Sequence, residues 1–367
     1  MGLMRGLRGL VAAAACIGVL AACSQPSETA SVTPKRTDFT IAWTIYAGWM
    51  PWPYAKDAGI VDKWAKKYGL TINVVQVNDY VESLNQFTAG KVDGVTSTTM
   101  DALTVPAAGG TDSTVLIIGD YSNGNDGIIL KGANSMAAIK GLPVNLVELS
   151  VSHYLLARGL ESAGLAQTDA TTVNTSDADI VAAFGAATTK ALVTWNPQLA
   201  EVDKMPGANL VFDSSKIPGE ILDTLVVSTA ALESNPDLGK ALVGIWYETM
   251  ATMAAQSDAG KAAREAMGKL SGTDLAGYEA QLKTTAMYYT PAEAATFFKS
   301  ADLVTATDRV RKFSFDHGLF GQGATSVDAI GITFPGGQTL GDQANVKLRF
   351  DPTYTDMAAA GELGTAP

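Results

Sequence analysis

Five carboxylates and three indoles stand just after stretches of the chain that read as β-strands: Asp101, Asp120, Asp126, Glu148 and Asp223, with Trp49, Trp52 and Trp195. Carboxylates accept paired N–H bonds from a planar cation, and an indole face adds an attraction of roughly 0.5–2 kcal/mol. The same stretches hold almost no Lys or Arg, so an anion would find few charged donors there. This inventory suits an ammonium- or guanidinium-type cation better than a sulfonate. Each residue also has a plainer reading. Asp101 could cap a helix, Asp120 could begin a turn, and Glu148 could complement a helix N-terminus. Trp49 or Trp52 is expected at a ligand, because large apolar groups are less expected in a loop than in a core. Trp195 fits either a binding wall or the core. Ser150 and Ser152 can offer hydroxyls, and one of them is expected to cap the helix that follows. His153 suits a hydrogen-bonded structural place better than ligation.

Covalent and metal chemistry find little support. The chain has two cysteines, Cys16 and Cys23, and two histidines, His153 and His317, without metal-ligand spacing or a triad-like grouping. No cofactor or metal is expected, and no enzymatic activity. Gly124-Asn125-Asp126-Gly127 lacks the Lys-Ser/Thr and helix of a phosphate loop and reads as a turn. A net charge of −11 argues against nucleic acid as a partner.

Alternating β-rich and amphipathic runs must position these groups. Strands are expected at 39–43, 71–77, 92–97 and 114–118, with helices at 60–68 and 80–89 where apolar residues fall at helical spacing. A second set follows, with strands at 128–130, 144–147, 172–174 and 191–194 and helices near 150–163 and 177–184. After a strand at 221–228 the chain turns mostly helical. This pattern predicts an α/β fold of two lobes with largely parallel sheets, joined by crossings near 120 and 224 that make a hinge. Lobe 1 is expected to comprise 38–120 plus 225–355, and lobe 2 to comprise 121–224. Ligands of open α/β sheets bind beyond the carboxyl ends of strands and in interdomain clefts, where the carboxylates and indoles would gather. At 346–350 a further strand is expected, without a functional account.

The N-terminus sets the expected compartment. Arg5 and Arg8 precede an apolar run from 10 to 22, which is shorter than the about 20 residues a spanning helix needs. With Leu20-Ala21-Ala22-Cys23 it reads as a signal of residues 1–22 ending in a lipobox, and Cys23 as the lipidated anchor. Residues 23–37 read as the lipidated Cys and a flexible tether. Loss of 1–22 removes two positive charges and moves the net charge from −11 to −13. The mature chain is expected outside the cytoplasm, anchored at a membrane surface and monomeric.

Several segments carry a family resemblance that spans nearly the whole mature chain. Trp49-Met50-Pro51-Trp52-Pro53-Tyr54-Ala55 and Phe87-Thr88-Ala89-Gly90-Lys91-Val92-Asp93-Gly94 resemble the nitrate, sulfonate and taurine class of ABC-importer substrate-binding proteins. Ala138-Ile139-Lys140-Gly141 and the Trp195-Asn196-Pro197 step occupy places that class expects. The run from Val147 to Arg158, and Phe315-Asp316-His317-Gly318-Leu319-Phe320-Gly321, resemble a branch encoded beside urea carboxylase genes. The resemblance implies a type II periplasmic-binding-protein fold, a permease and an ATPase as partners, and a small nitrogen-rich solute. Guanidinium is the first expectation and urea or a related amide or amine the next. Nitrate, sulfonate or taurine is the alternative, and a ligand sensor or an enzyme on the same fold lies further off.

Overall fold

The computed structural model describes residues 35–366. The expected signal, Cys23 and most of the tether therefore lie outside the described residues.

Among the described residues fourteen strands form two sheets. They are β1 (Asp38–Trp43), β2 (Thr71–Gln76), β3 (Gly94–Thr98), β4 (Ser113–Ser122), β5 (Asp126–Lys131), β6 (Pro143–Leu146), β7 (Thr171–Asn174), β8 (Ala191–Trp195), β9 (Ala208–Asp213), β10 (Leu222–Ser228), β11 (Thr285–Met287), β12 (Gly331–Thr333), β13 (Thr339–Leu340) and β14 (Val346–Phe350). The larger sheet runs β13-β12-β14-β4-β10-β3-β1-β2, with β11 also on β4, and the smaller runs β7-β6-β8-β5-β9. Both are mixed rather than largely parallel. β10 lies antiparallel between β3 and β4, and β5 lies antiparallel to both β8 and β9.

Sequence explains the local choices. β3 is buried along its whole length and β4 at all but Tyr121, so neither alternates between a buried and an exposed face; β4 meets this with the apolar run 115–118 and β3 with small residues. Asp79 accepts the Glu82 N–H and starts the helix Tyr80–Thr88, while Ser150 accepts the Ser152 N–H and starts Val151–Ser162. Thr290 and Glu293 close a capping box on Pro291–Phe298. One large apolar cluster, including Trp52, Leu116, Ile118, Leu225 and Trp246, covers the larger sheet. A second, including Ile128, Leu146, Leu155 and Val193, packs the smaller one. The C-terminal strand β14 inserts between β12 and β4, which extends the larger sheet by an arm the chain has to return to make.

The chain passes between the sheets twice. It leaves the larger sheet after Ser122, enters β5 at Asp126, and returns from β9 to β10 through residues 214–221. The Gly124 turn makes the first passage with φ +106, a conformation that favours glycine.

Candidate functional site

Each strand end delivers one wall of a single buried cavity. Tyr46 and Trp49 follow β1, Thr98 ends β3, Ser150 and Val151 follow β6, and Trp195 ends β8. Asp126 and Asp223 enter from the antiparallel strands β5 and β10. Their register partners are Trp195 and Thr98, so they too lie at the carboxyl ends of their neighbours. Tyr80, at the start of its helix, and Ile221 complete the lining. The cavity measures ≈ 20 Å³. That exceeds the about 10–15 Å³ one water requires and is far below the about 300–1,000 Å³ of a drug-sized pocket. A solute of a few heavy atoms is the size it can enclose.

Four rings run in succession around it. Tyr46 meets Trp49 edge-on at 4.9 Å, Trp49 lies 5.7 Å from Tyr80, and Tyr80 meets Trp195 edge-on at 5.8 Å. The Trp195 indole donates to the Ile45 carbonyl at 3.3 Å. The Trp49 indole N–H is buried without a partner. Behind the rings stand carboxyls. The Tyr46 hydroxyl donates to Asp120 at 2.9 Å, and the Tyr80 hydroxyl to Asp101 at 2.8 Å, where the Thr98 hydroxyl also donates at 2.8 Å. Ser122 donates to Asp126 at 2.5 Å.

Asp120 and Asp223 are opposed in the antiparallel β4–β10 register. Directly opposed residues on such strands place their Cβ atoms about 4.5–5.5 Å apart, and like charges there repel. Both are buried, and Asp120 Oδ2, Asp223 Oδ2 and Asp101 Oδ1 have no hydrogen-bond partner. Gly48 packs against this pair so closely that a Cβ would sit 2.4 Å from Asp120 Oδ2 and 2.5 Å from the Tyr46 ring. No Lys or Arg lines the cavity. Burial without a cation pushes the Asp101 carboxyl up to about 6, and Asp120 and Asp126 up to about 7. Asp223 is raised well above the ordinary carboxylate range by burial and then by the charges of Asp120 and Asp126. Tyr46 and Tyr80 are likewise raised, by burial first and by Asp120 and Asp101 next.

The residues singled out in the sequence divide into three groups. Trp49, Asp126, Ser150, Trp195 and Asp223 line the cavity; Asp101 and Asp120 stand one layer behind it, each holding a tyrosine hydroxyl. Asp101 does not cap its short helix, since Thr98 does that and turns to hold Asp101 as well. Asp120 does not begin a turn, because β4 continues to Ser122 and carries it inside the sheet. The others point elsewhere. Pro51 starts the helix Pro51–Asp57, which sends Trp52 into the core at 5.4 Å from Trp246. Glu148 takes the Thr172 hydroxyl on the rim of the smaller sheet, and the exposed Leu149 after it turns the chain at φ 66. Ser152 is buried in the helix Val151–Ser162 with its hydroxyl unpartnered, and it does not line the cavity. His153 lies 5.7 Å from His317 and against Phe313, also outside the lining, and burial holds it below its ordinary value. Among the described residues no group of three or more His, Cys, Asp or Glu could hold a metal ion, and no helix is long and apolar enough to cross a membrane.

Two residues at the centre of the site escaped sequence reasoning. Tyr46 sits in a stretch read by its tryptophans, and Tyr80 reads as one apolar position of an amphipathic helix. For the tyrosines nothing local marks the hydroxyl as the part that matters.

Residues 34–269 match the family described as NMT1-like. Among solved structures, the chain is similar to the alkanesulfonate-binding protein SsuA of Xanthomonas axonopodis pv. citri bound to MOPS, at 16% identity and TM-score 0.65, covering 79% of this chain and 96% of that one. It is similar to the periplasmic aliphatic sulphonate-binding protein SsuA of Escherichia coli, at 19% identity and TM-score 0.63 over 78% and 94% of the two chains. The periplasmic nitrate-binding protein NrtA of Synechocystis PCC 6803 matches at 15% identity and TM-score 0.54, over 88% and 98%. The fold is that of periplasmic binding proteins. By sequence, no curated protein matches the chain.

Proposed function

The chain belongs to the NMT1-like family, and from that premise we propose that it is the solute-binding component of an ABC importer whose solute is a small nitrogen-rich cation, guanidinium first. Its two sheet units act as lobes about the strands β4 and β10, and the solute lies between them. The likeness of fold to sulfonate- and nitrate-binding proteins supports the importer role. Fold does not carry the ligand, which has to be argued from the site.

One observation carries the cation. The cavity presents Asp126 and Asp223, backed by Asp101 and Asp120, inside a ring of four aromatic side chains, with no Lys or Arg. A buried carboxylate without a counter-charge is costly, whereas a ligand cation supplies that charge and meets the ring faces as well. A sulfonate or nitrate would enter beside acids that repel it. The clamp performs no chemistry: closure removes the solute from water, and the greater affinity of the closed state drives the shift. Cys23 would tether it outside the cytoplasm, and a permease with its ATPase would take the solute.

Calorimetric titration of the purified full-length chain with guanidinium, urea, nitrate and taurine tests this reading. Micromolar or tighter guanidinium binding, with taurine and nitrate weaker by at least tenfold, is expected. Preference for taurine or nitrate would overturn the cation.

A further inference from the structure

We propose that Asp120 and Asp223 form a charge-reading pair that holds one proton between its carboxyls when the site is empty and gives that proton up to solvent when the cation enters. The proposal rests on the cation reading above and adds how the site tells a cation from a neutral molecule of the same shape.

The geometry requires some such exchange. The two residues are register partners on adjacent strands, buried to 0% and 2% relative exposure. Each keeps one carboxyl oxygen without a partner, and Tyr46 serves only one oxygen of Asp120. Two carboxylates this close cannot both ionise in a dry site, so one proton is retained between them. No basic group relieves them. The ionisable groups facing the pair are Tyr46 from the loop after β1, Asp126 from β5, Tyr278 from the helix Leu275–Leu282, and Tyr288 and Tyr289 after β11. All are acids. Gly48 leaves room for the unpartnered oxygen of Asp120, which any side chain at that position would displace.

Charge then balances in a simple way. The empty pair carries one negative charge and one shared proton. When guanidinium arrives the proton leaves to the buffer, the pair carries two negative charges, and the guanidinium supplies one positive charge in its place. The net charge of the buried region is unchanged, so the exchange avoids adding an uncompensated ion to the interior. Urea brings no charge, cannot displace the proton, and has to bind the singly ionised pair. Discrimination between two nearly isosteric solutes follows from proton bookkeeping alone.

Guanidinium titrations of the full-length chain in two buffers of different ionisation enthalpy read the exchange directly. At about pH 8, where Asp101 and Asp126 are ionised and the pair keeps one proton, the observed heat should differ between buffers by the equivalent of close to one proton released per guanidinium bound, and urea should show no difference. Asp223→Asn should abolish the release and bring guanidinium and urea affinities to within about threefold of each other; Asp126→Asn should keep the release. Guanidinium binding with buffer-independent heat in the wild type overturns the exchange while leaving the cation reading intact. Failure of guanidinium to bind, with taurine or nitrate binding instead, overturns both. Loss of proton release in Asp126→Asn but not in Asp223→Asn overturns the assignment to this pair.

Discussion

Glu220, on the return passage between the sheets, and Asp223, just inside β10, lie three residues apart and are both nearly inaccessible to water, yet the protein treats them in opposite ways. Glu220 is saturated: Arg158 donates to it at 3.0 and 3.3 Å, and the Arg309 guanidinium and the Tyr154 hydroxyl also reach it. Asp223 faces two further aspartates and no cation, with one oxygen unpartnered. A buried acid that serves the fold finds its counter-charge within the chain. One left without it keeps a place for a charge from outside, at the expense of stability in the ligand-free protein.

Substitution should separate the two most sharply where the ligand is read. Asp223→Asn would remove a buried partner of the proposed cation. Its guanidinium affinity should fall by about 2–5 kcal/mol, the range for breaking a buried charge pair across an interface, as measured by calorimetry. Urea affinity should move far less. Glu220→Gln should instead leave guanidinium selectivity in place and destabilise the fold by about 1.5–3 kcal/mol through its lost charged hydrogen bonds, measured by urea denaturation. At pH 8 the ligand-free Asp223→Asn protein should melt no lower than wild type, because the amide can donate to Asp120 in place of the shared proton.

The comparison also has a pH signature. Asp101, Asp120 and Asp126 titrate near 6 to 7 in the folded chain and near about 3.9 when unfolded. Between those values the folded state binds more protons, so its stability should fall as pH rises from about 4 to about 7, by about 1.4 kcal/mol per pH unit for each proton difference, and fall more gently above while the pair keeps its last proton. Melting temperatures of the ligand-free protein across pH 5–8 would show it, and saturating guanidinium should flatten the slope. A stability that rises through that window would contradict the uncompensated cluster.

Smaller effects probe the walls. Trp195→Leu should weaken guanidinium by about 0.5–2 kcal/mol through the lost ring face, against little change for urea. Glu148→Gln should shift guanidinium affinity by less than about 0.5 kcal/mol, the usual reach of a substitution away from buried features; a larger loss would place that carboxylate at the ligand after all.

The contrast explains what could be read from sequence. Strands at 39–43, 71–77, 191–194 and 346–350 follow from β-rich composition bounded by turns, and the structure has strands at all four. Short elements such as β11 and β12, three residues each, carry too few residues to show a period. Asp223 and Asp120 were legible as acids near strand ends, but their opposition depends on β10 running antiparallel between β3 and β4, which is a matter of topology. Trp52 misled because Pro51 opens a helix where a loop was expected. His153 and Glu148 sit next to the true lining at Ser150 and Val151, and neighbours in sequence turn away from each other once the helix begins. The partners of Glu220 come from helices separated by about 150 residues, beyond any local pattern.

The strands that hold the acidic pair are also the strands by which the chain passes from one sheet towards the other. In most two-state devices a detector and a joint are separate parts, and some relay has to connect them. In the proposed clamp no relay would be required: the proton shared by Asp120 and Asp223 lies across β4 and β10 themselves, and a cation that displaced it would act on the strands about which the lobes are proposed to turn. Detector and joint would then be the same few residues, and a variant that blunts one should be expected to alter the other.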